Sequence, residues 1–120
     1  GVSEGDFDPV REALATLGSI ESWRVAMRPG RPQAFGTPGG KVFHGLPGNP
    51  ASVACVFEVL VRPTLRKLQG FSELDRPSLP VRAAVSIASR QGRTDFIRVR
   101  LAWRDGEWWA LLPATRYPGT

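Results

Sequence analysis

Two prolines and two glycines fall within the six residues Gly45-Leu46-Pro47-Gly48-Asn49-Pro50, and an apolar run from Ala51 to Leu68 follows at once. Proline locks φ and removes a donor, whereas glycine permits positive φ and the close approach of a ligand. Pro50 suits the first turn of a helix, with Asn49 before it as the capping residue. The apolar stretch Val42-Phe43-His44-Gly45-Leu46 precedes the loop. Strand, glycine-containing turn and helix N-terminus together make a geometry that concentrates free N–H groups on one spot and favours an anion. The same six residues also suit a rigid turn that binds nothing, and the local pattern leaves both readings open.

Around this stretch the first 70 residues read as α/β. Asp8 and Pro9 open a helix whose buried face is Val10, Ala13, Leu14 and Leu17, and Gly18 stops it. Trp23, Val25 and Met27 alternate with Arg24, Ala26 and Arg28, which predicts one strand. Pro29-Gly30-Arg31-Pro32 ends it, and Ala34-Phe35 suits a short strand. Thr37-Pro38-Gly39-Gly40 turns the chain, and Lys41 to Leu46 forms a strand into the loop. The helix Ala51–Leu68 carries Val53, Val56, Phe57, Leu60, Val61, Leu65 and Leu68 on its apolar side. Pro63 marks a kink or its weakest turn, and Gly70 ends it.

From Phe71 to Pro80 the chain reads as a linker, and beyond it the pattern is β. Val81–Ile87 and Phe96–Trp103 alternate as strands, Gln91-Gly92 is a turn, and Asp105-Gly106 predicts a hairpin that returns along Trp108–Leu112. The two or three strands before the linker are too few to cover the helices of an α/β layer. With loop-like residues at both ends of the chain, this reads as a piece of something longer.

A formal net charge of +5 and an isoelectric point near 10.6 favour anionic partners, with eleven acidic residues interspersed. One cysteine, Cys55, excludes an internal disulfide, and one histidine with one cysteine does not build a zinc site. No apolar run reaches membrane-spanning length and no signal peptide is visible, so the expectation is a cytoplasmic protein without a membrane partner.

Four constellations carry chemistry. The loop Gly1-Val2-Ser3-Glu4-Gly5-Asp6-Phe7-Asp8 offers backbone N–H groups for a phosphate, and its carboxylates make sense beside one only with a divalent cation between. Asp6 and Asp8 are the candidate Mg²⁺ ligands, although Asp8 also makes an ordinary helix cap. Arg24 and Arg28, four apart on a strand, share one face at roughly 13 Å, with Arg31 following and the opposite face given to the core. The proline-glycine loop has no nucleophile or general base, so its job is shape, and His44 beside it is structural. Finally, Arg93, Asp95, Arg98 and Arg100 mix with Trp103, Trp108 and Trp109. That mixture suits single-stranded nucleic acid, but tryptophans packing a small barrel with arginines outside is the simpler account.

These segments, together with Phe35-Gly36, Val61-Arg62-Pro63 and Asp95-Phe96-Ile97-Arg98-Val99-Arg100-Leu101, resemble the molybdopterin molybdenumtransferase family, the MoeA proteins and the gephyrin E domain. The resemblance implies that residues 1–71 are the C-terminal half of a molybdopterin-binding α/β domain of three layers, resembling MogA. It implies that residues 72–120 begin a truncated antiparallel β-barrel-like domain. Family members insert molybdenum from molybdate into adenylylated molybdopterin with Mg²⁺, release AMP and work as homodimers; a scaffold role that binds peptides is the gephyrin-type alternative. On this resemblance Asp8, Arg24 and Arg28 are the catalytic residues and Asp8 and Asp6 hold the metal. Gly1, Ser3, Gly5, Pro47, Gly48, Asn49, Pro50 and Arg98 line the substrate site. Arginines at 24 and 28 stand where many members carry lysine, which keeps the charge and changes the geometry. Taken alone, the chain is expected to be inactive.

Overall fold

The computed structural model describes residues 13, 16, 18 and 20–113. Outside these lie the loop with Gly1, Ser3, Gly5, Asp6 and Asp8 and nearly all of the first expected helix, of which Ala13 is described and is helical.

A three-stranded antiparallel sheet is built from β1 (Ile20–Arg24), β3 (Pro32–Gly36) and β4 (Phe43–Gly45), in the order β1-β3-β4. Its register runs from Ile20 opposite Gly36 to Arg24 opposite Pro32, with Phe35 opposite His44 on the other side. Pro32 is tolerated because it is the first residue of its strand. A short 3-10 turn, Pro38–Gly40, links β3 to β4.

The single strand expected from Trp23 to Arg28 is two. The Val25 N–H donates to Arg31 O at 2.9 Å, the last bond of the β1–β3 ladder, and the Met27 N–H then folds back onto Val25 O at 2.8 Å. Met27–Arg28 become β2, which leaves the sheet and pairs in parallel with β6 (Thr94–Asp95). The pairing is closed by Thr94 N–H to Ala26 O at 2.9 Å and Phe96 N–H to Arg28 O at 2.8 Å. Alternation across the break is lost. Met27 is buried as expected, whereas Trp23, expected in the core, is exposed.

Asn49 caps the helix through its side-chain oxygen, which accepts from Ala51 N–H at 2.9 Å and Ser52 N–H at 3.4 Å, with Pro50 in the first turn. α1 (Pro50–Val56) runs through a π-helical stretch (Phe57–Val61) into α2 (Arg62–Leu68). Pro63 has no N–H to give the preceding turn, and the wider winding falls there, with Arg62 N–H bonded to Phe57 O. Gly70, at φ 84°, ends the helix. The Phe71 N–H reaches Arg66 O and the Gly70 N–H reaches Lys67 O, a Schellman closure, and the Arg66 guanidinium lies 4.1 Å from the Phe71 ring centroid.

The linker is strapped to this helix. Arg62 Nη1 donates to Leu74 O at 3.0 Å, Arg66 Nε to Glu73 O at 2.6 Å, and Arg76 pairs with Glu58 at 2.6 and 2.9 Å. Beyond it, β5 (Arg82–Ala83), β8 (Glu107–Leu111) and β7 (Arg100–Arg104) form an open sheet in that order, β5 parallel and β7 antiparallel to β8. Asp105 and Gly106, with φ of 50° and 81°, make the expected hairpin turn. The strand expected over Val81–Ile87 shrinks to two residues, and the one from Phe96 to Trp103 keeps only its second half.

The described residues are thus a mixed α/β arrangement in which no barrel closes. Their buried apolar side chains are Met27, Ala34, Val56 and Ala110. The apolar helix side is mostly uncovered beyond Val56: Phe57, Leu65 and Leu68 are exposed. Trp103 and Trp108 do not line a barrel interior either. They are exposed and pack edge to face across the hairpin at 5.2 Å.

Candidate functional site

Where β2 leaves the sheet, the chain forms an open cavity of about 620 Å³. That is within the usual range of small-molecule sites. Its floor is set by the turn between β2 and β3. Gly30 has φ 103°, and a Cβ there would collide with Val56 Cγ2 and press on Met27 Cε at 3.4 Å. Only glycine lets α1 sit this close to the turn. Gln33, buried, donates from Nε2 to Gly30 O at 2.8 Å and lies 3.1 Å from Met27 Sδ, which fixes the turn against β3.

Arg24, Arg28 and Arg31 enter the cavity lining from β1, β2 and the turn, and Arg90 and Arg93 from the Gln91-Gly92 turn of the C-terminal segment. Among the described residues, no carboxylate is in this lining. A concave surface with guanidiniums on several sides focuses positive potential and suits a phosphate or other oxyanion, which arginine binds in bidentate fashion.

Behind Arg93 lies Asp95, whose side chain is only 12% exposed. Arg93 Nε is 2.8 Å from Asp95 Oδ1, Arg93 Nη2 donates to Oδ2 at 3.3 Å, and Ser89 Oγ donates to Oδ2 at 2.7 Å. The Ser89 hydrogen bond first, then the one from Arg93, hold the Asp95 carboxyl below the usual carboxylate range, and the charges of Arg93 and Arg28 add to this.

The structure brings Arg24 and Arg28 into one cavity, though not by the shared strand face that their spacing suggested. Of the proline-glycine loop, Pro47 is buried at the end of the strand, Gly48 and Asn49 are exposed, and Pro50 opens the helix. None of these four lines the cavity; Ser52, one turn later, does. Arg98 is not in the lining either, and its charge falls on Cys55, whose thiol burial pushes up. His44 packs against Phe35 with the rings tilted at 58° and centroids 5.0 Å apart, and burial lowers its pKa. Sequence reasoning passed over Arg90 and treated Arg93 as an outer-face group. Two arginines flanking a Gln-Gly turn were the available signal. Asp6 and Asp8 lie outside the described residues, and among the described ones no group of three His, Cys, Asp or Glu side chains comes together for a metal.

Residues 1–67 match the profile of a family described as a probable molybdopterin binding domain. Over 99 residues the chain is 38% identical to a molybdopterin molybdenumtransferase of Haemophilus influenzae, covering 82% of this chain and 24% of that protein. It is 47% identical over 77 residues to the molybdopterin molybdenumtransferase of a Nostoc species, covering 61% of this chain and 18% of the relative. It is 31% identical over 125 residues to gephyrin of Dictyostelium discoideum, covering 86% and 17%. The chain therefore spans a quarter or less of the length of these relatives.

Proposed function

The chain belongs to the family of the probable molybdopterin binding domain, and from that premise we propose that it is part of a molybdopterin molybdenumtransferase acting in molybdenum cofactor biosynthesis. In this reading the protein inserts molybdenum from molybdate into adenylylated molybdopterin and AMP is released. The observation that carries it is the cavity lined by Arg24, Arg28, Arg31, Arg90 and Arg93. Both substrates are anions, and both need their negative charge offset where they meet.

Arg24 and Arg28 hold the phosphate groups and molybdate against one another. Placement and charge neutralisation then supply most of the rate, since the cavity lining is dominated by arginines. Pro47, Gly48, Asn49 and Pro50 shape the approach to the pterin by fixing the start of α1, and Gly1, Ser3, Gly5 and Arg98 complete the substrate site. Asp6 and Asp8 are assigned to Mg²⁺, which when bound offsets phosphate charge. Residues 1–71 belong to the molybdopterin-binding domain and 72–120 to the following β domain. The protein works as a cytoplasmic homodimer.

The test is AMP release from adenylylated molybdopterin and molybdate by the full-length protein. Loss of about tenfold or more in Arg24→Gln and Arg28→Gln, as for charge-assisted hydrogen bonds, supports the reading. Unchanged turnover in both sinks it.

A further inference from the structure

We propose that Arg93 is an anion-binding residue of this cavity and that Asp95 is the positioning residue that presents it, an inference that rests on the reading of the cavity as an oxyanion site. The ligand class is a phosphate monoester or a comparable tetrahedral oxyanion.

Arg93 lines the cavity and remains 27% exposed, while the carboxylate behind it is almost covered. Asp95 takes the guanidinium side-on, with an ion-pair contact at Nε and one hydrogen bond from Nη2. A guanidinium has five N–H donors, so this grip leaves both hydrogens of Nη1 and one of Nη2 for another acceptor. Asp95 is itself fixed from two directions. Its side chain accepts from Ser89 Oγ at 2.7 Å, and its backbone lies in the β2–β6 pairing opposite Arg28. An arginine already held in one orientation loses less side-chain freedom when an anion arrives, and so binds it more tightly than a free one. The pair also joins the two sides of the cavity, because Arg28 and Arg93 come from opposite sides of the linker.

The experiment is calorimetric titration of AMP into the full-length protein and its Arg93→Gln, Asp95→Asn, doubly substituted and Arg24→Gln forms. Arg93→Gln is expected to weaken AMP binding about tenfold, in line with losing a charge-assisted contact. Asp95→Asn is expected to weaken it about threefold to tenfold, and the double variant no more than Arg93→Gln alone, because contacting residues couple. Losses that add would overturn the positioning role. Should Asp95→Asn fail to fold, Ser89→Ala removes one hydrogen bond to the carboxylate and serves instead: weaker AMP binding only while Arg93 is present upholds the role, and unchanged affinity overturns it. Wild-type affinity in Arg93→Gln beside a loss in Arg24→Gln overturns this inference and leaves the cavity's function standing. Wild-type affinity in both overturns the cavity as an anion site.

Discussion

Arg28 lies opposite Asp95 across a parallel pairing of two-residue strands, and this one register joins the segments before and after the linker. Around it the cavity takes its shape. The main-chain bonds Thr94 N–H to Ala26 O and Phe96 N–H to Arg28 O flank the pair and hold it in place.

Gly30→Ala is expected to destabilise the protein by about 2–4 kcal/mol, since it combines a left-handed backbone with overpacking against Val56. Urea unfolding of the full-length protein measures it. A cost below about 1 kcal/mol, the scale of an ordinary surface change, would mean that α1 does not rest on this turn.

Asn49→Ala removes the oxygen that accepts from Ala51 and Ser52. The expected cost is about 1 kcal/mol, with Asn49→Asp close to neutral. Amide hydrogen exchange at Ala51 and Ser52 should speed up more than at Lys67, near the far end of the helix.

Arg28→Lys keeps the charge and loses the planar fork. AMP affinity is expected to fall by about threefold to tenfold, less than for Arg28→Gln, because a charged hydrogen bond is retained and the bidentate one is not. Equal losses for Lys and Gln would assign the effect to geometry alone.

His44 has its pKa lowered by burial, so the neutral ring is the form that the fold holds. The unfolded chain then binds more protons below its ordinary value of about 6.5. Stability contributed by this residue is full above that pH and is lost as pH falls through the lowered value. His44→Phe should flatten the thermal-melting profile as pH falls below about 6.5, and an unchanged slope there would remove His44 as its cause.

Glu58→Gln weakens the ion pair to Arg76 that straps the linker to the helix. Because both groups are open to solvent, the change in melting temperature is expected to be small. Chymotrypsin should nevertheless cut faster at Phe71 and Leu74, and an unchanged cleavage rate would show that the backbone bonds from Arg62 and Arg66 suffice.

What the sequence made readable was local. Asn49-Pro50 and Gly70 mark both ends of the helix because capping is decided within a few residues, and Asp105-Gly106 announces its hairpin for the same reason. The break at Val25-Ala26 was not readable. It exists because β2 finds a partner in β6, far along the chain, and alternation in Trp23–Arg28 carries no trace of that choice. The candidate site divides in the same way. Arg24 and Arg28 were visible as a pair of cations, whereas Arg93 joins them only through the β2–β6 register. Likewise, Ile97 and Val99 alternate with Arg98 and Arg100 as a strand would, yet among the described residues no ladder bonds reach 97–99.

The two-residue pairing of β2 with β6 also makes the cavity's contents a fastener. An anion gripped by Arg28 on one side and Arg93 on the other closes a second bridge between segments that otherwise share few bonds. Such linkage runs both ways: whatever draws the segments together tightens the grip on the anion, and releasing the anion frees them to part.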